Sequence, residues 1–134
     1  MATVLELRII GNIGRDATVK EVKEGVYAIS FSVAHNKVWR DHKTGQKKTN
    51  TTWVYCTIWK RDGDSMRIVD FLKAGTLVEM IGFPSTKAIQ TSENELKSEL
   101  RLKVTSANIL KPPSSSDTTD NESNPYDHDD EDFE

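Results

Sequence analysis

Hydrophobic and polar residues alternate along most of the chain with a period of two. In "VLELRII" Leu5, Leu7 and Ile9 alternate with Glu6 and Arg8, the pattern of a half-buried strand. "GNIG" punctuates this strand, with Gly11 and Gly14 permitting a bulge or tight bend before a short second segment from about Ala17 to Val22. The next strand, "VYAISFSVAHNKVW", sets Tyr27, Ile29, Phe31 and Val33 on one side and Ala28, Ser30, Ser32 and Ala34 on the other. Residues that small leave their face open. "DHKTGQKKTN" then interrupts with turn formers and charge, and "TWVYCTIW" resumes a strand, so Val38 to Trp59 reads as a long hairpin with a basic tip. "DSMRIVDFLKAG" gathers Ile68, Val69 and Leu72 on one helical face, with Asp64 as N-cap and Gly75 as stop. "TLVEMIGF" and "SELRLKVTSANIL" predict two further strands.

Strands, one short helix between the third and fourth, then strands again predict an all-β chain. That order suits the five-stranded Greek-key barrel of the oligonucleotide/oligosaccharide-binding (OB) fold. Charge divides the chain of 134 residues in two. Residues 112–134 carry nine acidic groups, no Lys or Arg, and little to bury, and are expected to form a disordered acidic tail. Residues 1–111, the expected OB domain, hold eighteen Lys and Arg against twelve acids, a surplus of six positive charges within a chain of net charge −3.

Several function classes lose support at this point. No run reaches transmembrane length, and "MATVLELRII" lacks the features of an export signal, so no membrane role and a cytoplasmic location are expected. The one cysteine, Cys56, has no disulfide partner and falls on a predicted core face, where an inert thiol is the ordinary case. His35, His42 and His128 are scattered, and Asp62 and Asp64 stand where helix capping accounts for them. "GNIG" is too short for a phosphate loop. No catalytic residue, cofactor or metal site is expected, and a magnesium-dependent nuclease is a remote alternative.

The candidate chemistry lies in the tryptophans. All three, Trp39, Trp53 and Trp59, fall within the predicted hairpin, and strand parity puts Trp53, Tyr55, Thr57 and Trp59 opposite Val54, Cys56 and Ile58. If the aliphatic side is the core, the indoles face outward. A single Trp is as often plain packing as it is a binding group. Here, however, three are grouped among Lys37, Arg40, Lys43, Lys47, Lys48, Lys60 and Arg61. Flat aromatic faces interleaved with cations meet the two features an unpaired nucleic acid offers along its whole length, base faces and phosphate charge.

Four stretches carry a family resemblance: "GNIGRD" (Gly11 to Asp16), "WRDHKTGQ" (Trp39 to Gln46), "TTWVYCTIW" (Thr51 to Trp59) and "FLKAGTLVEMIG" (Phe71 to Gly82). With them, the chain resembles the bacterial-type single-stranded DNA-binding proteins from about Leu5 to Ile109, and again in its acidic tail. The resemblance implies an OB domain, a homotetramer around which DNA wraps, and roles in replication, recombination and repair. It also implies stacking roles for Trp39, Trp53 and Trp59, and recruitment of replication and repair proteins by the tail's end, Asp129, Asp130, Glu131, Asp132 and Phe133. Two positions depart from the family pattern. Ala88 stands where a further stacking tryptophan is usual, beside Lys87, which remains available to a phosphate. The family's terminal Pro-Phe reads "DEDFE", so Phe133 keeps the ring while Glu134 moves the carboxylate one residue on. Two other readings compete with this one. A primosomal OB protein would lack the long acidic end, and an adaptor working mainly through its tail would touch DNA only secondarily.

Overall fold

The computed structural model describes residues 2–113. The acidic run from 114 onward, including the proposed docking residues Asp129 to Phe133, lies outside the described residues. Among the described residues there are six strands: β1 (Leu7–Ile13), β2 (Thr18–Lys23), β3 (Val26–Arg40), β4 (Lys47–Arg61), β5 (Leu77–Gln90) and β6 (Leu96–Lys111). They form one sheet in the order β1-β5-β6-β4-β3-β2, and a further β1–β3 pairing closes it into a barrel. β4 and β6 run parallel, while the other pairings are antiparallel.

The first predicted strand and its short second segment are β1 and β2, laid end to end along β3. Ile13 pairs with Val33 and Thr18 with Ser30, so four intervening residues, Gly14 to Ala17, stand opposite two, Phe31 and Ser32. That surplus is the bend expected at "GNIG", and it lets one interrupted strand leave β3 and join β5. Counted this way the barrel has the five strands of the OB fold.

Barrel closure requires two close backbone approaches. A Cβ on Gly11 would lie 2.1 Å from the Ala34 carbonyl oxygen, and one on Gly82 would lie 2.0 Å from that of Lys103. Gly82 also marks a register shift in the β5–β6 pairing. Any side chain at either position would force the strands apart.

The predicted helix shrinks to a single 3-10 turn over Arg67–Phe71. Its N-cap residue is Met66, without a side-chain cap, and Asp64 instead accepts a hydrogen bond from the Arg61 backbone N–H at 2.8 Å, closing the preceding turn. The chain is then drawn back to the barrel. The Leu72 carbonyl accepts from Ala17 N–H, the Ala74 N–H donates to Asp16, and the Gly75 N–H donates to the Ile13 carbonyl. So short a helix gains little from propagation, and these tethers outweigh it. Its apolar residues still serve the core: Leu72 is fully buried, and Ile68 and Val69 pack against the cluster.

The core comprises Ile9, Ile13, Ile29, Phe31, Val33, Val54, Cys56, Ile58, Leu72, Val78, Met80 and Leu102. It is filled by aliphatic residues with one phenylalanine, one methionine and one cysteine, each large side chain contributing about 1.5–3 kcal/mol by leaving water. None of the three tryptophans is among them.

Candidate nucleic-acid interface

Alternation along β3 and β4 builds the interface. The two strands pair without a register shift from Val26 with Arg61 to Arg40 with Lys47, so the parity of each residue fixes its side of the ribbon. Val54, Cys56 and Ile58 face the core and are buried, while Trp53, Tyr55 and Trp59 face out at 43%, 42% and 44% exposure. Their partners on β3 are Ala34, Ser32 and Ala28, and Thr57 pairs with Ser30. The aromatic row therefore stands above a floor of short side chains, with its ring faces accessible from the side.

Trp53 is also held in place. Its Cζ3 lies 2.7 Å from where a Cβ on Gly14 would be, so the ring edge rests over bare backbone at the β1–β2 bend. The glycine leaves space for that edge of the indole, and the residue is still 43% exposed. A ring fixed in this way loses little rotamer freedom when it binds a flat partner.

The register divides the expected cations between the two sides of the ribbon. Arg40, Lys47 and Arg61 share the side of Trp53 and Trp59, whereas Lys37, Lys48 and Lys60 share the side of Trp39. Trp39 is half-buried, pairs with Lys48, and has the Lys37 ammonium 6.0 Å from its ring centroid. The three tryptophans therefore do not form one patch: two sit on the barrel's outer face and the third on the reverse of the projecting arm. At the arm's tip Arg40 donates from Nη1 to the Gly45 carbonyl at 3.1 Å, and Lys43 stands exposed on the turn that Asp41 closes by accepting from the Lys43 backbone N–H at 2.9 Å.

β5 and β6 extend beyond the barrel as a second hairpin arm, paired from Gly82 to Gln90. Lys87 pairs with Glu99 on the side of the sheet that carries Arg101, and Ala88 pairs with Ser98 on the other side. Ala88 and Lys87 are both exposed, and neither adds a ring.

Other contributors went unnoticed in the sequence. β6 lies beside β4 with Arg101 next to Tyr55 and Lys103 next to Thr57, so two more cations join the aromatic face. Arg15, from the β1–β2 bend, lines the same groove, whose volume is about 340 Å³. The alternation in "SELRLKV" shows that Arg101 and Lys103 point away from the core, but only the parallel pairing of β4 with β6 shows what they point toward.

Burial pushes the Cys56 thiol up to about 12, so it stays protonated and unreactive at neutral pH. Tyr27 donates to Asp62 at 3.0 Å, and that carboxylate raises the phenol's pKa. Among the described residues no three His, Cys, Asp or Glu side chains gather as a metal site, and no helix is long and apolar enough to cross a membrane.

Comparison with known proteins agrees with this fold. The fold is similar to that of a "Plasmodium falciparum SSB complex with ssDNA", with a TM-score of 0.64 at 22% identity, covering 83% of this chain and 98% of the other. "Single-stranded DNA-binding protein 1" of Xylella fastidiosa (strain 9a5c) is 31% identical over 83 residues, 61% of this chain. That match spans 59% of the curated relative's own length. The model of the single-strand binding protein family matches residues 4–110, almost all of the described fold, and the chain belongs to that family.

Proposed function

We propose that this chain binds single-stranded DNA without reading its sequence, shielding the strand during replication, recombination and repair. One observation carries the reading: Trp53 and Trp59 stand roughly half exposed on a barrel face floored by Ala and Ser, with Arg40, Lys47 and Arg61 on the same side. Each base has a π-face, and stacking on a side-chain ring contributes about 1–3 kcal/mol per base whatever the base. Lysine and arginine add counterion release, which depends only on phosphates. In a duplex the base faces are already stacked on one another, so a surface of this kind favours single strands.

Trp39, with Lys37 and Lys48, extends the path onto the reverse of the first arm, which suits a strand that wraps around the protein rather than crossing one face. Lys43 at the tip, Lys60 behind Trp59 and Lys87 on the second arm would meet the phosphates of a strand wrapped in that way. Family membership supports assembly as a homotetramer. The acidic end from Asp129 to Phe133 has the charge and single ring suited to docking on basic pockets of replication and repair enzymes.

Tryptophan fluorescence tests the central reading. Titration with oligothymidylate should quench the emission strongly, and log affinity should fall with log salt at about 0.7 per phosphate neutralised. Binding without quenching would favour the tail-driven adaptor, and equal affinity for duplex would refute the single-strand reading.

A further inference from the structure

Trp39 differs from the other two tryptophans in what already covers it. Trp53 and Trp59 stand roughly half exposed on the outer face, whereas Trp39, on the reverse of the first arm, has the Lys37 ammonium 6.0 Å from its ring centroid. The contact follows from strand geometry. Residues 37 and 39 share a side of β3 and sit about 7 Å apart along it, a distance across which a four-carbon stem folds back. On the facing strand Asn50 pairs with Lys37 and Lys48 with Trp39, so no acid stands opposite either. Neither β3 nor β4 contains an Asp or Glu. The next acid along the chain, Asp41, is held in the tip turn, where it accepts the Lys43 N–H at 2.9 Å. With no carboxylate on its own ribbon, the ammonium settles over the indole, whose electron-rich face attracts it.

We propose that Lys37 is a shutter on Trp39: it covers a face of the indole in the free chain and yields it to a base only when a backbone phosphate draws the ammonium away. The inference rests on single-strand binding as proposed above and gives Lys37 a positioning role within it. Ammonium and base compete for the same ring face. At an exposed site a cation over a ring is favoured by a factor of about two to five, whereas an ammonium that moves to a phosphate gains a charge-assisted hydrogen bond and releases a counterion. A charged strand therefore reverses the balance. A flat molecule without charge does not. Lys48, directly across from Trp39, adds a second positive charge that brings a phosphate to this spot.

The tryptophans then answer to different parts of the strand. Trp53 and Trp59 meet any base face that arrives, and Trp39 meets a base only together with its phosphate. The reverse of the arm thus selects for a charged backbone, a discrimination that stacking alone does not provide.

The experiment compares a charged with an uncharged backbone on the full chain. Trp53→Phe with Trp59→Phe leaves Trp39 as the one indole reporter, and this chain is titrated with oligothymidylate and with methylphosphonate oligothymidylate of equal length. Adding Lys37→Met keeps the apolar stem and removes the charge. It should weaken oligothymidylate binding and lower the salt slope by about 0.7, yet tighten methylphosphonate binding about two- to fivefold. Lys37→Arg, which also covers a ring and meets phosphates, should restore native behaviour with both. A lower slope with unchanged methylphosphonate affinity makes Lys37 an ordinary phosphate contact and overturns the shutter; equal losses with both oligomers make it a structural residue and overturn it too. Either result leaves the functional reading standing, whereas a native chain that binds no oligothymidylate defeats that reading itself. If the reporter chain fails to fold by circular dichroism, proton NMR of the native chain decides. The Lys37 methylene protons next to the ammonium should be shifted upfield by the indole ring current and return to ordinary values with oligothymidylate but not with the methylphosphonate. No upfield shift in the free chain, or the same change with both oligomers, overturns the proposal.

Discussion

The two faces of the β3–β4 sheet are made by the same alternation and could hardly differ more in content. Inside, Ile29, Phe31 and Val33 meet Val54, Cys56 and Ile58 and close the core. Outside, Ala28, Ser30, Ser32 and Ala34 face Trp53, Tyr55, Thr57 and Trp59. One strand puts its large residues in and its small ones out, while its neighbour keeps its largest residues for solvent. Folding alone gives no reason for that inversion, because exposed indoles add little to a core already complete without them. On the function proposed above, stability and binding are assigned to opposite sides of a single pair of strands.

Mutations on each side should therefore separate the two properties. The largest effect is on the inner side: Met80 is fully buried, and Met80→Ala should lower stability by about 2–5 kcal/mol in urea unfolding, with oligonucleotide affinity per folded molecule unchanged. On the outer side Trp53→Ala should do the reverse, weakening oligothymidylate binding by about 1–3 kcal/mol in a fluorescence titration and leaving the unfolding midpoint nearly constant. A large loss of stability in Trp53→Ala would erase the distinction between the faces. Adding a ring sharpens it. Ala88→Trp on the exposed second arm should tighten binding by about 1 kcal/mol, the low end for one stacking platform, with no change in melting temperature.

The smallest effect belongs to a third surface, the outer side of β1, β5 and β6. There Arg8 pairs with Glu79, and Asn108 donates to Glu79 at 2.9 Å; together they hold its carboxyl below the ordinary glutamate range. A depressed folded-state pKa means that the ionised form favours the fold. The contribution is present above the ordinary glutamate value and is lost as pH falls through the lower folded value. Thermal melts from pH 6 down to pH 3 should show a slightly steeper decline for the native chain than for Glu79→Gln, and the exposure of Arg8 keeps the difference small. DNA binding should not respond to this substitution.

Much of this was legible in the sequence because it is local. Period-two alternation identified the core side of β4 and left Trp53 and Trp59 facing outward, and the turn chemistry of "DHKTGQ" marked the hairpin that the Asp41 and Gly45 hydrogen bonds close. What failed to show was non-local. The helix predicted over Asp64 to Gly75 was cut to the 3-10 turn at Arg67–Phe71 by tethers to Asp16 and Ile13, more than fifty residues away along the chain. Trp39 looked like a neighbour of Trp53, yet an even number of residues apart on different strands of an antiparallel pair places them on opposite sides, which only the register from Arg40 with Lys47 reveals. Arg101 joined the face through a parallel pairing between strands separated by a turn and a whole strand, for which alternation carries no signal.

Whether base faces or phosphates alone hold the strand is the claim on which the account turns. The direct measurement compares an oligothymidylate with an abasic oligomer of equal length and equal phosphate number, titrated at the same salt concentration. The account predicts that removing the bases weakens binding by at least tenfold and abolishes tryptophan quenching, while the salt slope stays near that of oligothymidylate. Equal affinities for the two oligomers would contradict it and reduce the outward indoles to bystanders of a purely electrostatic surface.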